Sequence, residues 1–411
     1  MLTAAVATVG SSTPVQRPNA HVDLYSDGVV LDRAGMPVLV PVGDPPAEDP
    51  DRRAAQDRWL ADGRIPGPER YADLATQALR DLDALVLPNG AALAAGSPAW
   101  RYVWPRDASF TAAALARTGH VQDAHAVLAH LARLQERKSS GGVLEARYLP
   151  DGTGAVPDQR GLQLDGNGWV LWGVAEWYAA AEPGPRRQAD LETLRPLVER
   201  SVRAIRLNTD PVTGLPEVSP DYWEVEESVP TLGTVSALLA GVRAAGPVLA
   251  ALGEPGVDDL EALLQRGVDE GFAPGYPRRL GGSEVDAAIA FLMPPFAETD
   301  PGVHAVWLDA AVRMRRPAGG LAPGEGWRQD GISWTPETAA FALAAAASGD
   351  VPRATAWLDW LDTHRTPLGA LPEKVLWDGS PAAVAPLAWT GSLVLLTLDE
   401  LDRQAVASGM R

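Results

Sequence analysis

From residue 56 onwards the sequence alternates between two kinds of helical segment, and this alternation restricts the possible folds more than any other feature. One kind is amphipathic: in segment 187–207, Leu191, Leu194, Val198 and Val202 recur every three or four residues and form one apolar stripe. The other kind is almost uncharged, as in ETAAFALAAAA at 337–347. A helix that is apolar on every side has to be buried on every side.

The alternation extends over twelve predicted helices, at 69–86, 106–118, 120–137, 164–181, 187–207, 229–252, 257–271, 283–293, 302–316, 335–348, 351–364 and 386–404. Six charged helices that alternate with six apolar helices predict an all-α fold, an (α/α)6 barrel with an inner ring of six helices inside an outer ring of six. A stacked array of helical repeats is the alternative architecture, but the sequence shows no fixed repeat period.

The N-terminal segment has a different pattern. Residues 21–43, HVDLYSDGVVLDRAGMPVLVPVG, alternate between apolar and polar positions around DG and AG turns, which predicts a short β-hairpin. The Pro-rich, charged stretch DPPAEDPDRR at 44–53 predicts a linker. We therefore predict a short β segment with its linker at 1–55 and a barrel domain at 56–411.

Composition argues against several classes of function. The chain has no cysteine, which rules out disulfides and thiolate metal sites. Its net charge of −18 makes nucleic acid a poor partner. Three of the histidines, His120, His125 and His130, are five residues apart and do not share a helical face. We therefore expect neither a metal nor a cofactor.

The apolar segments also bear on location. No apolar run approaches the ~20 residues of a membrane span, so we expect no membrane association. The first ten residues, MLTAAVATVG, lack the basic residues that begin a secretory signal. We expect a cytoplasmic protein that is monomeric or weakly oligomeric, with secretion as the alternative.

Polar and aromatic residues concentrate in the loops that precede the apolar helices. These loops contain WRYVWPRD at 100–107, QLDGNGW at 163–169, DYWE at 221–224, GGSEVD at 281–286, WRQDGISWTPE at 327–337 and ALPEK at 370–374. Because successive inner helices of such a barrel run parallel, the six loops should meet at one end. The predicted mouth would be lined by Asp107, Asp165, Glu224, Asp286, Glu337, Glu373, Trp100, Trp104, Trp169, Trp223, Trp334 and Trp389.

A mouth lined by carboxylates and indoles is typical of sugar binding. The chain has 14 Trp, against 7 Tyr and 5 Phe. Aromatic rings pack on the apolar faces of sugars, while carboxylates and Arg bind the hydroxyls. Cleavage of a glycosidic bond needs a carboxylic acid at the leaving oxygen and a second carboxylate, which stands about 6.5–9.5 Å away in an inverting enzyme.

Five motifs resemble glycoside hydrolase family 15, the glucoamylase and glucodextranase family. They are WRYVWPRDASF, QLDGNGWVL, DYWEVEESVPTLGT, VDAAIAFLMPPF and LPEKV…APLAWT, which occur in the family's order over roughly residues 75–400. The resemblance implies an (α/α)6 barrel. It also implies an enzyme that releases glucose, with inversion, from the non-reducing ends of α-glucosidic oligo- or polysaccharides.

The resemblance also implies roles for individual residues. Glu224 matches the general acid, whose pKa we expect apolar surroundings to raise, and Glu373 matches the general base. Arg106 and Asp107 match the pair that holds the hydroxyls of the innermost sugar. The further candidate sugar contacts are Trp104, Trp223, Trp100, Tyr102, Asp165, Trp334 and Trp389.

The sequence departs from the family in ways that keep other interpretations open. Trp100 stands where members commonly have Tyr, and Val225 stands where glucoamylases have a second acidic residue. Glu226 is an alternative candidate for the acid. The same site could serve another exo-α-glycosidase or a glycosyl transfer, or the chain could be a catalytically silent sugar-binding protein. Glu224 could also simply cap the helix that follows it.

Overall fold

The structure, a computed structural model, describes residues 19–138, 141–407 and 409. Within them lie α1 Pro50–Asp62, α2 Ala72–Leu85, α3 Pro105–Arg117, α4 Val121–Lys138, α5 Asp165–Ala180, α6 Pro185–Leu207, α7 Leu232–Leu252, α8 Asp258–Gly271, α9 Pro301–Arg313, α10 Thr335–Ala347, α11 Val351–Thr363 and α12 Ala388–Ala407. Two 3-10 helices span Glu69–Tyr71 and Ala287–Leu292. The strands are β1 Gly28–Leu31, β2 Pro37–Val40, β3 Ser333–Trp334, β4 Lys374–Val375 and β5 Pro381–Ala382. The N-terminal stretch that bears on secretion lies outside the described residues.

The apolar helices form a closed inner ring. Helix α3 packs on α5, α5 on α7, α7 on the 3-10 helix Ala287–Leu292, that helix on α10, α10 on α12, and α12 again on α3. Each inner element has an amphipathic partner outside it: α4, α6, α8, α9, α11 and α2 pack on the six inner elements in ring order. The predicted (α/α)6 barrel is therefore confirmed.

The fourth inner element differs from its prediction. Residues 283–293 are predicted as a helix, whereas the structure has only the six-residue 3-10 helix Ala287–Leu292. Asp286 caps its start by accepting a hydrogen bond from the backbone N–H of Ala288. Pro294 and Pro295 follow after Met293, and proline cannot supply the N–H groups that a longer helix would need.

The N-terminal prediction is correct in its hairpin and wrong in part of its linker. Strands β1 and β2 pair antiparallel, with Gly28 opposite Val40. Helix α1 begins at Pro50, inside the predicted linker, because Asp49 caps its first turn. Asp at the cap followed by Pro is a helix-start signal that outweighs the linker-like composition. The domain division at residue 55 stays a prediction, although α1 runs across that position.

Helix α7 lies at the centre of the barrel packing. In the described part of the chain it is the one helix long and apolar enough to cross a membrane by length and composition, a property the sequence analysis did not recognise. Most of its length is buried against the neighbouring inner elements. Its contact with α5 depends on glycine, since a Cβ at Gly168 would lie 2.1 Å from the carbonyl oxygen of Ala237.

Candidate active site

The loops that precede the inner helices surround a pocket of about 1080 Å³, its open mouth included. Nine predicted site residues line it: Trp100, Trp104, Arg106, Asp107, Trp223, Glu224, Trp334, Glu373 and Trp389. Glu337, also predicted at the mouth, lines the pocket as well. Further lining residues that carry polar groups are Arg147, Arg160, Tyr222 and Lys374. Five of the six predicted loops therefore converge on this pocket, whereas the loop before the 3-10 helix Ala287–Leu292 contributes no lining residue.

Two predicted site residues lie behind this lining. The ring of Tyr102 packs under the guanidinium of Arg147, at 4.6 Å, and meets Trp104 edge-on. Asp165 is buried with Arg106 in a small space at the back of the pocket wall. Burial raises the pKa of Asp165 to about 7, although the charge of Arg106 opposes the shift.

Two residues predicted at the mouth are buried elsewhere, so that expectation is wrong for them. Trp169 lies one turn inside α5, where its ring packs 4.9 Å from Phe110 in the core. Asp286 is fully buried and accepts a hydrogen bond from the hydroxyl of Tyr222 at 2.8 Å. Its role in capping the 3-10 helix holds it below the pocket.

Glu224 is not a helix cap. Helix α7 begins at Leu232 and is capped by Thr231, whose hydroxyl accepts from the N–H of Thr234 at 3.2 Å. Glu224 lies earlier in the loop, with a φ of 53° in the left-handed region. A non-glycine residue pays roughly 1–3 kcal/mol for such a conformation, which persists where the surroundings impose it and is common at functional sites.

A buried ion cluster imposes the conformation of this loop. The guanidinium of Arg278 lies 2.8 Å from Asp221 and 2.6 Å from Glu227, on either side of Glu224 in sequence. It also stacks on the ring of Trp223 at 4.0 Å. Glu227 is thus part of the ion cluster, while the alternative acid Glu226 is exposed and lies outside the lining.

Polar groups, not apolar ones, surround the carboxylate of Glu224. The indole N–H of Trp104 donates to its Oε1, and Arg106 Nη2 lies 3.8 Å from the same oxygen. Arg160 forms an ion pair with Oε2. The expectation of apolar surroundings for Glu224 is therefore wrong. Sequence reasoning missed Arg160, which lies in the loop before α5 with no motif to mark it.

Glu373 is held by backbone pairing and by two side chains. The N–H of Thr335 donates to its carbonyl oxygen at 3.0 Å, which ties the loops before α10 and α12 together. The indole N–H of Trp100 donates to Oε1 at 3.3 Å, and Lys374 Nζ lies 3.1 Å from Oε2. The ion pair with Lys374 is therefore part of the pocket wall.

Ring order places the two glutamates on opposite sides. Glu224 belongs to the loop before α7, the third inner element, and Glu373 to the loop before α12, the sixth. In a closed ring of six, the third and sixth elements face each other. A sugar between them would therefore have one carboxyl group on each side.

Arg106 and Asp107 lie at the start of α3 between these two glutamates in the ring. Arg106 Nη2 is 3.0 Å from Asp107 Oδ2, and its guanidinium stacks on Trp389 at 4.6 Å. Burial raises the pKa of Asp107 despite the neighbouring Arg106. The two residues thus form an internal pair that also faces the pocket.

Several buried polar atoms of the lining have no hydrogen-bond partner among the described residues. They are Nε and Nη1 of Arg106, Oε2 of Glu337 and the indole nitrogens of Trp223, Trp334 and Trp389. Native proteins rarely leave buried polar groups unpaired, and each such group needs an explanation. A ligand rich in hydroxyls would supply the missing partners.

Comparison with known proteins identifies sugar-cleaving enzymes. No model of a known protein family matches the chain. An isomaltose glucohydrolase from Kribbella flavida is 26% identical over 343 residues, which cover 73% of this chain and 84% of the relative. The prediction of a glycoside hydrolase agrees with that relative.

Solved structures agree on the fold. A wild-type glycosidase superposes with a TM-score of 0.67 at 24% identity, covering 86% of this chain and 99% of its own. A bacterial glucoamylase complexed with acarbose gives 0.65 at 16% identity, over 84% of this chain and 58% of its own. A mannosylglycerate hydrolase from Thermus thermophilus, in complex with glucose, gives 0.59 at 14%, over 79% of this chain and 99% of its own.

Proposed function

We propose that the chain is an exo-acting glycoside hydrolase of glucoamylase type that releases glucose, with inversion, from α-glucosidic oligo- or polysaccharides. The observation that carries the proposal is the placement of Glu224 and Glu373 on opposite sides of one pocket. An inverting enzyme needs an acid on the leaving-group side of the sugar and a base on the other side. The unpartnered Arg106 nitrogens and indole N–H groups are suited to sugar hydroxyls.

In the proposed reaction Glu224 gives its proton to the glycosidic oxygen as the bond from that oxygen to the anomeric carbon breaks. Glu373 takes a proton from a water molecule, whose oxygen bonds to the anomeric carbon from the opposite face. Arg106 and Asp107 hold the hydroxyls of the innermost sugar. The products are a β-configured sugar and a free alcohol.

Arg160 has a defined part in this scheme. Its cation stabilises the ionised form of Glu224, whereas the reaction needs the protonated form. Arg160 is partly exposed, with 38% of its side chain accessible, and has Asp158 as a second partner at 3.1 Å. We expect the leaving-group sugar to displace Arg160 from Glu224 towards Asp158.

Isomaltose, a short α-linked disaccharide, is the first substrate to test, because the relative from Kribbella flavida is named for it. Maltose, trehalose and dextran complete a panel that separates linkage and chain length. Proton NMR of freshly released product should show the β-anomer first. If the α-anomer comes first, the inverting mechanism is wrong.

Two variants test the assigned roles. Glu224→Gln and Glu373→Gln should each lower kcat by roughly 10²–10⁴-fold with little effect on folding, because each removes one proton transfer. Glu226→Gln is the matched control, since Glu226 is an exposed glutamate of the same loop. Wild-type turnover in either pocket variant would refute its assignment.

A catalytically silent sugar-binding protein is the second candidate. The ion pair between Arg160 and Glu224 favours it, because an acid locked to a cation cannot protonate a substrate. This candidate predicts oligosaccharide binding by calorimetry with no hydrolysis after long incubation. Measurable turnover on any sugar of the panel excludes it.

A further inference from the structure

Glu337 is a third glutamate in the pocket, and the proposed reaction leaves it without a role. It lies in the first turn of α10, and its side chain lines the pocket beside Trp334 and Pro336. It is 4% exposed, and its Oε2 has no hydrogen-bond partner among the described residues. The structure therefore leaves one buried carboxyl oxygen for a ligand to satisfy.

Glu337 differs from the other pocket carboxyls in lacking a counter-ion. Asp107 has Arg106 at 3.0 Å, Glu373 has Lys374 at 3.1 Å, and Glu224 has Arg160. Within the described part of the chain, no arginine, lysine or histidine lies within 4.0 Å of Glu337. An unpaired buried charge is costly, so such a group takes up a proton instead.

The groups that face Glu337 come from three other loops of the ring. Glu373 and Lys374 face it from the loop before α12, Arg106 from the start of α3, and Tyr222 from the loop before α7. Burial, with a contribution from Glu373, raises the pKa of Glu337 to about 8, while Arg106 and Lys374 oppose the shift. At neutral pH its carboxyl group therefore carries a proton.

We infer that Glu337 binds the innermost sugar as a neutral carboxylic acid that donates its proton in a hydrogen bond to a sugar hydroxyl. A protonated carboxyl offers one donor and one acceptor, the same pair that a hydroxyl offers in return. Because Arg106 and Glu373 are its neighbours, Glu337 would contact the terminal sugar, which the reaction releases as glucose. It would not contact the remainder of the substrate, which is the leaving group. The inference rests on the proposed function, since it assumes a sugar in this pocket.

Proton linkage distinguishes a neutral donor from an ionised acceptor. If Glu337 donates its proton to the sugar, glucose favours the protonated form, and binding at pH 8 takes up protons. If an ionised Glu337 only accepts, glucose favours the carboxylate, and binding releases protons. Calorimetric titration of the full chain with glucose, in two buffers of different ionisation enthalpy, measures the number and sign of these protons.

Glu337→Gln and Glu337→Ala isolate the contribution of this residue. Gln keeps a donor and an acceptor without a titrating proton, so we expect glucose affinity within about threefold of wild type and no Glu337-dependent proton uptake. Ala removes the hydrogen bond and should weaken binding about tenfold. Wild-type affinity should be highest below pH 8 and fall as the pH rises further, while that of Glu337→Gln stays level. Glu226→Gln should behave as wild type throughout.

The outcomes separate this inference from the proposed function. Proton release on glucose binding, proton uptake unchanged in Glu337→Gln, or wild-type affinity in Glu337→Ala overturns the role of Glu337 even if the protein hydrolyses α-glucosides. Absence of glucose binding by the wild-type chain also overturns it. The hydrolysis panel then decides independently whether the proposed function stands.

Discussion

Arg278→Met should destabilise the fold strongly, because Arg278 is the cation that neutralises a buried acidic cluster. Its side chain is 4% exposed, and those of Asp221 and Asp286 are fully buried. Without Arg278 these two aspartates have no cation within 4.0 Å among the described residues, whereas Glu227 keeps Arg279. Removing one partner of a buried ion pair costs about 3–5 kcal/mol, and we expect a loss of that size at pH 8.

The loss should depend on pH in a defined direction. Burial raises the pKa of Asp286 to about 7 in the native protein, with Asp221 adding to the shift and Arg278 opposing it. A carboxyl with a raised native pKa destabilises the fold above that pKa and less as it becomes protonated below it. The variant should therefore recover stability as the pH falls from 8 towards 5.5, where Asp286 becomes protonated and neutral.

Urea unfolding followed by tryptophan fluorescence at pH 8 and pH 5.5 measures both effects. Arg279→Met is the matched control, because Arg279 is 45% exposed and pairs with the same Glu227. Glu227 keeps Arg278 at 2.6 Å when Arg279 is removed, so this control leaves no buried carboxylate without a cation and should lose much less stability than Arg278→Met. Equal losses in the two variants at pH 8, or a larger loss for Arg278→Met at pH 5.5, would refute the reasoning.

Two further predictions concern the inner ring and Glu373, the proposed base. Gly168→Ala should cost about 3 kcal/mol or more, since its Cβ would lie 2.1 Å from the Ala237 oxygen, and thermal unfolding should show the loss. Gly391→Ala is the control, because a Cβ at Gly391 would have no neighbouring atom nearer than 3.9 Å. This variant should be as stable as wild type or more stable by up to ~1 kcal/mol. Equal changes in stability for the two variants would argue against a close helix contact at Gly168. Trp100→Phe removes the indole N–H that donates to Glu373. It should lower kcat up to about tenfold with little change in KM. An unchanged kcat in steady-state assays would contradict a role for Trp100 in positioning Glu373.

The barrel could be predicted from the sequence because the burial of each helix determines which residue types that helix contains. A helix buried on all sides carries almost no charge, and a helix at the surface carries one apolar stripe, so the two rings can be read segment by segment. The loops before the inner helices follow from the same alternation. The sequence alone therefore predicts that Glu224, Glu373, Arg106 and Asp107 lie at one mouth.

Depth within the barrel could not be predicted in the same way. Trp169 and Trp389 both stand near the start of an apolar helix, yet one is in the core and the other lines the pocket. Trp169 is the fifth residue of α5 and Trp389 is the second residue of α12, so a shift of about one turn along the helix separates the core from the pocket wall. The exact residue at which each helix begins depends on how the neighbouring loops pack. The expected cytoplasmic location and the expected monomeric or weakly oligomeric state stay predictions.

The sequence by itself determined the fold class and most of the loops that meet at the mouth, because local patterns indicate which helix faces are buried. The choice of Glu224 and Glu373 among the carboxylates of those loops came from the motif resemblance. Only the tertiary structure decided which charged side chains form ion pairs with each other. Arg160 pairs with Glu224 across 64 residues of chain, and Arg278 reaches back to Asp221 across 57. Glu337 lines the same pocket as Arg160 and Glu224, and among the described residues no cation lies within 4.0 Å of it. Ionisation depends on distances of a few ångströms between residues far apart in sequence, and such distances exist only once the ring has closed.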